Sequence, residues 1–231
     1  MFVTIGVKLL DVASVAQQLL VAALPILIAI TFHEVSHGYV AYKLGDPTAK
    51  FVGRLTLNPL VHIDLFGTIL LPVILYVATQ GQFVFGYAKP VPINPMNFSN
   101  PRKGMAISAA AGPVTNILLA ALSVVMLKLF LAPLAAVSTG LLGQRILHPL
   151  MMICGASVIV NVILAVFNMI PIPPLDGGRV LVGLLPSKHA TSYSKIEPFG
   201  FIIVIILIYS GLADYFIMPL INFFLKLFHM Y

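Results

Sequence analysis

Tryptophan is absent from this 231-residue chain, charged side chains make up only 9% of it, and it holds a single cysteine, Cys154. Each shortage excludes something. Soluble domains carry roughly 25% charged residues, so most of this surface is too apolar to face water. One cysteine rules out an intramolecular disulfide, and within its apolar run Cys154 reads as a small packed side chain. Acidic residues are scarce too, with Glu34 and Glu197 the only glutamates. What remains is hydrophobic: 60% of the residues, with a mean hydropathy of +1.04. The class is a polytopic membrane protein, and no polar stretch is long enough to fold as a soluble domain.

The net charge of +6 arises from lysines and arginines scattered along the chain, with no run longer than Arg102-Lys103. Scattered cations fit loops anchored on anionic headgroups better than a groove tracking phosphates. Membrane lipid is therefore an expected partner and nucleic acid is not. The apolar N-terminus lacks a basic region followed by a small-residue cleavage site, so it reads as retained.

A helical span needs about 20 apolar residues. Residues 15–42 supply one, ended by Gly45-Asp46-Pro47. Residues 64–78 are shorter and interrupted by Gly67 and Pro72, while 104–131 and 148–169 are long enough. The stretch 199–228 is too long for one span and is broken at Ser210-Gly211 and Asp214. The expected fold is all-α and polytopic, with four to six membrane segments and a small re-entrant β or extended segment. Lys43, Lys50 and Arg54 follow the first span, Arg102 and Lys103 precede the third, and Arg179, Lys188 and Lys195 follow the fourth. Placing these clusters in the cytoplasm leaves 64–78 to leave and return on one side. Either that segment is re-entrant or residues 82–98 come back as extended chain, which is tolerated at membrane depth only where protein or a watery cavity shields it. Phe83-Val84-Phe85 reads as a short strand, and Lys89 to Pro95, rich in proline, must be extended.

Inside the first span lies His33-Glu34-Val35-Ser36-His37. On a helix, residues i and i+4 share a face, so two imidazoles converge on one metal, and the adjacent glutamate can reach a metal-bound water as general base. In a chain of this composition, H-E-x-x-H arises by chance on the order of once in 1,000. An ionisable side chain inside an apolar span costs at least about 2.5 kcal/mol, and a divalent cation would neutralise the cluster. Two histidines leave a catalytic zinc one protein ligand short. The candidates are His62, Asp64, His148, His189, Asp176 and Asp214. Asp176 stands out because it follows the fourth span directly, after three prolines that end a regular helix and before Gly177-Gly178, which allow a sharp turn.

With these residues assembled, the sequence resembles the site-2 protease family of intramembrane metalloproteases, in its short branch without PDZ or CBS domains. The resemblance rests on His33 to His37, on Gly112-Pro113-Val114-Thr115-Asn116, on Asn168 through Gly178, and on the Lys89 to Asn94 loop. It covers about residues 29–179 and implies one zinc per chain, held by His33, His37 and Asp176, with a cytoplasmic-side site in the cell's inner (plasma) membrane. It implies a single membrane protease domain over 1–231, with a catalytic core of about 15–180 and C-terminal membrane segments over about 197–229.

The expected activity is hydrolysis of peptide bonds within or near transmembrane helices of single-span membrane proteins, with room for a regulatory membrane partner. Glu34 would be the catalytic base, and Asn116 or Asn168 would donate to the oxyanion. The 83–94 segment, through Pro90, Val91, Pro92 and Ile93, would hold an unwound substrate as an added strand. The stretch 199–228 would gate its approach. A metal transporter would instead need several spaced ligands along a path, and a catalytically silent adaptor would have no use for Glu34.

Overall fold

The structure, a computed structural model, describes residues 12–80, 86–138 and 140–230, apart from the side chains of 12–20, 22, 213 and 214. Its α-helices are α1 (Val12–Lys43), α2 (Thr48–Phe51), α3 (Leu71–Ala78), α4 (Pro101–Val125), α5 (Ala132–Val137), α6 (His148–Asn168), α7 (Asp176–Leu184), α8 (Ser187–Ser194), α9 (Gly200–Tyr209) and α10 (Leu212–Leu227). A π-helical turn, Met126–Leu131, joins α4 to α5, and another, Gly143–Leu147, extends α6 backwards. The continuous helices Pro101–Val137, Gly143–Asn168 and Ser187–Tyr209 are long and apolar enough to cross a membrane. At 1.5 Å per residue, the 32-residue α1 runs for about 48 Å.

Three of these helices make the frame. α4 lies antiparallel to both α1 and α6, because His37 meets Ser108 while Ala29 meets Asn116, and Asn116 meets Asn161 while Ser123 meets Ser157. α10 closes one side, setting Ile221 and Leu225 against Ala120, Val158, Val162 and Val166 in the apolar core. Just past its end, the carbonyls of Phe228 and His229 accept from Lys128 Nζ at 3.1 and 2.9 Å, so a lysine in the Met126–Leu131 turn ties down the chain after α10. Leu118, Leu122, Ile159, Ile163, Ile202 and Ile206 point outward and exposed. Apolar exposure on that scale suits lipid, not water.

Local chemistry explains the helix ends. Asn100 caps α4 by accepting from Lys103 N at 3.1 Å, with Pro101 in the first turn. The final stretch breaks where expected: Gly211 takes φ +72°, a left-handed turn open to glycine, and separates α9 from α10. Helices α7 and α8 lie in a region read from sequence only as a basic segment after a span. α7 is amphipathic and short, and Gly183 lets it approach α4 at Ala106 and the Arg102 carbonyl.

Residues 64–78 form a π-helical turn, Leu65–Leu70, running into α3. The chain then returns extended over 86–94, and its start lies beside the start of that segment. Tyr87 N donates to Gly67 O at 3.0 Å, Thr68 Oγ1 to Tyr87 O at 2.8 Å, and Lys89 N to His62 O at 3.0 Å. The expected strand at Phe83–Phe85 lies outside the described residues, and among the described residues there is no β-strand. Two prolines explain why 86–94 stays extended without joining a sheet: Pro90 and Pro92 have no N–H to give a ladder.

A loop residue just past α1, Asp46, fixes the far end of this segment. Asp46, fully buried, accepts from Thr48 Oγ1 (2.5 Å), Asn97 Nδ2 (2.6 Å), Asn94 N (2.7 Å) and Thr48 N (3.1 Å). Burial pushes its pKa up, but these donors outweigh burial and hold it below the ordinary carboxylate value. The unfolded loop then binds a proton more readily than the folded one. The stabilisation is therefore complete above the ordinary value of about 4 and is lost as pH falls through it and below. Replacing Asp46 by Ala removes about 1–3 kcal/mol of local stability. Hydrogen exchange at the Asn94 amide, relative to its intrinsic rate, should speed by about tenfold or more in Asp46→Ala. The wild type should loosen in the same way only in acid.

Candidate metal centre

α1 presents His33 and His37 one turn apart on one face, with ring centroids 4.6 Å apart and the rings nearly perpendicular. Their Nε2 atoms lie 3.0 Å from each other. Asp176 Oδ2 is 3.1 Å from His33 Nε2 and 3.2 Å from His37 Nε2. All three residues are buried. Among the described residues they are the one group of three His, Cys, Asp or Glu whose ligand atoms converge in this way.

The ring nitrogens behind this triangle decide its chemistry. His37 Nδ1 donates to the Ser108 carbonyl of α4 at 2.7 Å. His33 Nδ1 lies 2.5 Å from Asn116 Oδ1. That oxygen is assigned by the network, since Asn116 Nδ2 donates to Asn161 Oδ1 at 2.8 Å and to Ala29 O at 3.3 Å. Both imidazoles therefore carry their hydrogen on Nδ1 and a lone pair on Nε2. Two lone pairs and a carboxylate oxygen that no donor satisfies thus face one another. Such a set repels itself unless a cation sits at its centre. Its sides are near the roughly 3.3 Å that separates tetrahedral ligands bonded to zinc at 2.0–2.1 Å, so the residues fit zinc.

Asp176 reaches this position because α6 stops at Asn168 and the chain turns over Pro171 to Leu175 before α7 begins at Asp176 itself. Gly177 and Gly178 press against the backbone of Met169 and of Ile172–Pro173, where no side chain would fit. Gly112 plays a comparable part on α4. A Cβ there would fall 2.5 Å from His37 Nε2 and 2.6 Å from His33 Cε1, so the histidine pair packs directly on a bare backbone. Nothing in the sequence short of its place beside Pro113 signalled that role.

The triangle opens on a cavity of about 590 Å³ whose wall includes Glu34, Tyr87, Val91, Asn168, Arg179 and Phe201. Glu34 Oε2 accepts from Val91 N at 2.9 Å. Pro90, Val91 and Ile93 line the cavity; Pro92 does not. Asn168 lines it too, while donating one amide hydrogen to Leu164 O at 2.9 Å. Asn116 is placed differently from the oxyanion role expected for it: it is fully buried behind His33, and its amide is committed to Ala29 and Asn161. Asn161 is buried helix-bonding glue, donating to Ser157 O at 2.8 Å.

The other ligand candidates stand elsewhere. His62 is buried and its Nε2 donates to Thr56 O at 2.9 Å. Asp64 caps the following turn by accepting from Gly67 N at 2.7 Å. His148 starts α6 at the end opposite Asn168, and His189 is exposed on α8. The side chain of Asp214 lies outside the described ones. Arg54, Arg179, Tyr87 and Phe201 are the cavity and support residues that sequence reasoning left out.

Residues 21–210 match the family model described as peptidase family M50. The chain is 39% identical over 201 residues to a Bacillus subtilis (strain 168) protein named "putative zinc metalloprotease YwhC", covering 85% of this chain and 84% of that one. It is 29% identical over 182 residues to "putative zinc metalloprotease Rip2" of Mycolicibacterium smegmatis, covering 79% of this chain and 64% of that one. Against Rip2 of Mycobacterium tuberculosis (strain H37Rv) the figures are 26% over 181 residues, 78% and 63%. No solved structure matches the chain.

The bare backbone at Gly112 sets a test that needs no substrate. Gly112→Ala should lower zinc bound per chain by at least about tenfold at limiting metal, since ligand geometry tolerates only about 0.2 Å of misplacement. Gly155→Ala, where a Cβ meets nothing within 4 Å, should bind as the wild type does. Metal analysis of the two purified variants reads the difference.

Proposed function

We propose that this chain, which belongs to peptidase family M50 and is a zinc metalloprotease, cleaves peptide bonds within or next to transmembrane helices of single-span membrane proteins. The observation that carries this reading is the placement of Glu34, beside three converging ligand atoms and on the wall of a cavity set among apolar helices. His33, His37 and Asp176 would hold the ion. When bound, zinc supplies Lewis acidity and brings the pKa of a water ligand towards about 7.

The protein's own groups do the rest. Glu34 is one residue from a ligand and can take the proton of the attacking water, then pass it to the leaving amide nitrogen. Its other contact, the Val91 amide, holds one carboxylate oxygen and leaves Oε1 for the proton. Asn168, with one amide hydrogen not spent on Leu164, is the side chain that can donate to the developing oxyanion. Asn116 orients His33 and sets its tautomer, a supporting task that metal ligands commonly need.

A substrate helix hides its peptide bonds and has to unwind to reach this cavity. The extended 86–94 stretch would receive it through main-chain bonds. Between Pro90 and Pro92 the stretch can offer only carbonyl oxygens, because its one N–H is held by Glu34. The substrate strand would have to supply the donors. Phe201 of α9 lines the cavity, 6.4 Å from the Tyr87 ring, which supports α9 as one wall of the approach.

The adjacency of Gly67 and Tyr87 supports reading Leu65–Ala78 as a segment that enters the bilayer from one side without crossing it. The centre lies one to three turns inside the end marked by Lys43, Pro101 and Asn168. The basic residues Lys43, Lys50, Arg54, Arg102, Lys103 and Arg179 cluster at that end. The positive-inside rule then makes it the cytoplasmic end, in the cell's inner membrane.

Purified protein in detergent, given a panel of single-span substrates, tests the reading. Wild type should cleave. Glu34→Gln should keep its zinc and lose about 10² to 10⁴ of the rate. Placing a proline or glycine in the substrate near the cut should speed cleavage if unwinding limits it. Zinc-loaded Glu34→Gln that cuts as fast as wild type would overturn the assignment of the base.

A further inference from the structure

Arg54 is buried, yet among the described residues no carboxylate pairs with it; its guanidinium donates to main-chain carbonyls. Its Nη1 donates to Val61 O at 2.5 Å, its Nη2 to Lys89 O at 2.6 Å and to Pro90 O at 3.3 Å, and its Nε has no partner. Taking a guanidinium out of water without an opposing charge carries a large desolvation cost. It does not line the cavity, so it cannot touch a substrate there. Something in the fold must use the charge.

The Pro90–Val91 peptide unit is where the charge leads. Its carbonyl oxygen accepts from Arg54, and its N–H donates to Glu34 Oε2 at 2.9 Å. A peptide unit is planar and carries a dipole of about 3.5 D from its oxygen to its hydrogen end. With a cation at the oxygen and a carboxylate at the hydrogen, both hydrogen bonds polarise the unit in the same sense and strengthen each other.

Prolines make this the one arrangement open to the segment. Across Pro90-Val91-Pro92 only Val91 owns an N–H. A slip of one residue in either direction would put a proline opposite Glu34. The register is held from the side as well. Gly38 lies one turn beyond Glu34 on the same face of α1, and a Cβ there would fall 2.8 Å from Val91 Cγ1. Val91 is thus seated on the very strip of helix that carries Glu34.

We infer that Arg54 is a positioning residue for Glu34, acting through the single peptide unit between Pro90 and Val91. This rests on the reading of Glu34 as the base. The 89–94 stretch then has a task before any substrate arrives: it aims the carboxylate that takes the proton.

The test uses the full chain in detergent with a single-span substrate that the wild type cleaves, and follows kcat, KM and bound zinc. Val91→Pro removes the N–H in a segment already extended, whereas Val91→Ala trims the side chain and keeps the N–H. Measured against Val91→Ala, Val91→Pro should lower kcat about tenfold to a hundredfold, with zinc retained and KM within about threefold of that of Val91→Ala. Arg54→Met should match Val91→Pro, Arg54→Lys should recover part of the loss, and the double variant Arg54→Met/Val91→Pro should be no slower than Val91→Pro alone.

Multiplying losses in the double variant would mean that Arg54 acts elsewhere, and the inference falls. It falls equally if Val91→Pro has the kcat of Val91→Ala. Should Arg54→Met fail to fold, the Val91 pair decides. Zinc-loaded Glu34→Gln separates the two levels of the argument. If it cleaves normally, the base assignment fails and this inference with it. If it is silent while Val91→Pro is not impaired, only the inference about Arg54 fails.

Discussion

Three electron-rich atoms forced to within about 3 Å of one another, in surroundings with little water to screen them, set the terms for the rest of this molecule. Imidazole lone pairs and a carboxylate do not gather by attraction. They are held there, and each helix of the frame contributes a different restraint. α1 supplies the spacing of the histidines. α4 supplies the two acceptors that turn their Nδ1 hydrogens away, and the glycine on which the rings rest. α6 supplies Asn161, without which the Asn116 amide would lack a fixed orientation. α7 supplies the carboxylate at its first residue. A metal at the centre converts that repulsion into binding, and the restraints explain why the geometry is near correct for zinc without it.

The same economy of charge appears in the loops after α1. Asp46 and Arg54 are both buried, only eight residues apart, and among the described residues neither pairs with the other or with any opposite charge. Asp46 is satisfied by amides and a hydroxyl, and both Nη atoms of Arg54 donate to carbonyls. Both therefore act on backbone, and on one stretch of it: Arg54 grips residues 89 and 90, and Asp46 grips residue 94. A proline-rich segment cannot be fastened by a sheet ladder, since it lacks the donors. Buried charged side chains, each making several strong hydrogen bonds, fasten it instead.

Much of this was legible in the sequence, for physical reasons that differ residue by residue. His33, Glu34 and His37 were legible because helical spacing alone puts i and i+4 side by side, whatever surrounds them. The long helices Pro101–Val137 and Gly143–Asn168 were legible as apolar runs, whereas Ser187–Tyr209 begins well before the apolar run at 199, and the break at Ser210-Gly211 showed because a left-handed turn favours glycine. Asp176 emerged from its place after three prolines and from the resemblance taken together. Asn116 was expected as an oxyanion donor: sequence places it on its helix, but which way its amide turns depends on Asn161, forty-five residues away. The role of Gly112 was hidden because it consists of an atom that is missing. α7 and α8 were read only as a basic stretch, since a short amphipathic helix packed on α4 leaves no long apolar run. Arg54 looked like a loop cation because its partners are all main-chain carbonyls, which any sequence possesses.

The extended segment 86–94 joins these themes, and its position limits how the chemistry can be organised. It lies along the cavity wall, it is anchored from behind by Asp46 and Arg54, and its one N–H between the prolines faces Glu34. A strand laid against it would find no free N–H between the two prolines and would have to bring its own N–H groups. Such a strand would also press on the peptide that holds the base. Substrate seating and base geometry would then share one structural element, so a peptide that seats poorly would meet a poorly aimed carboxylate. On the proposed reading, in which the substrates are helices that unwind before cleavage, that coupling would favour chains able to lie extended over those that merely drift into the cavity.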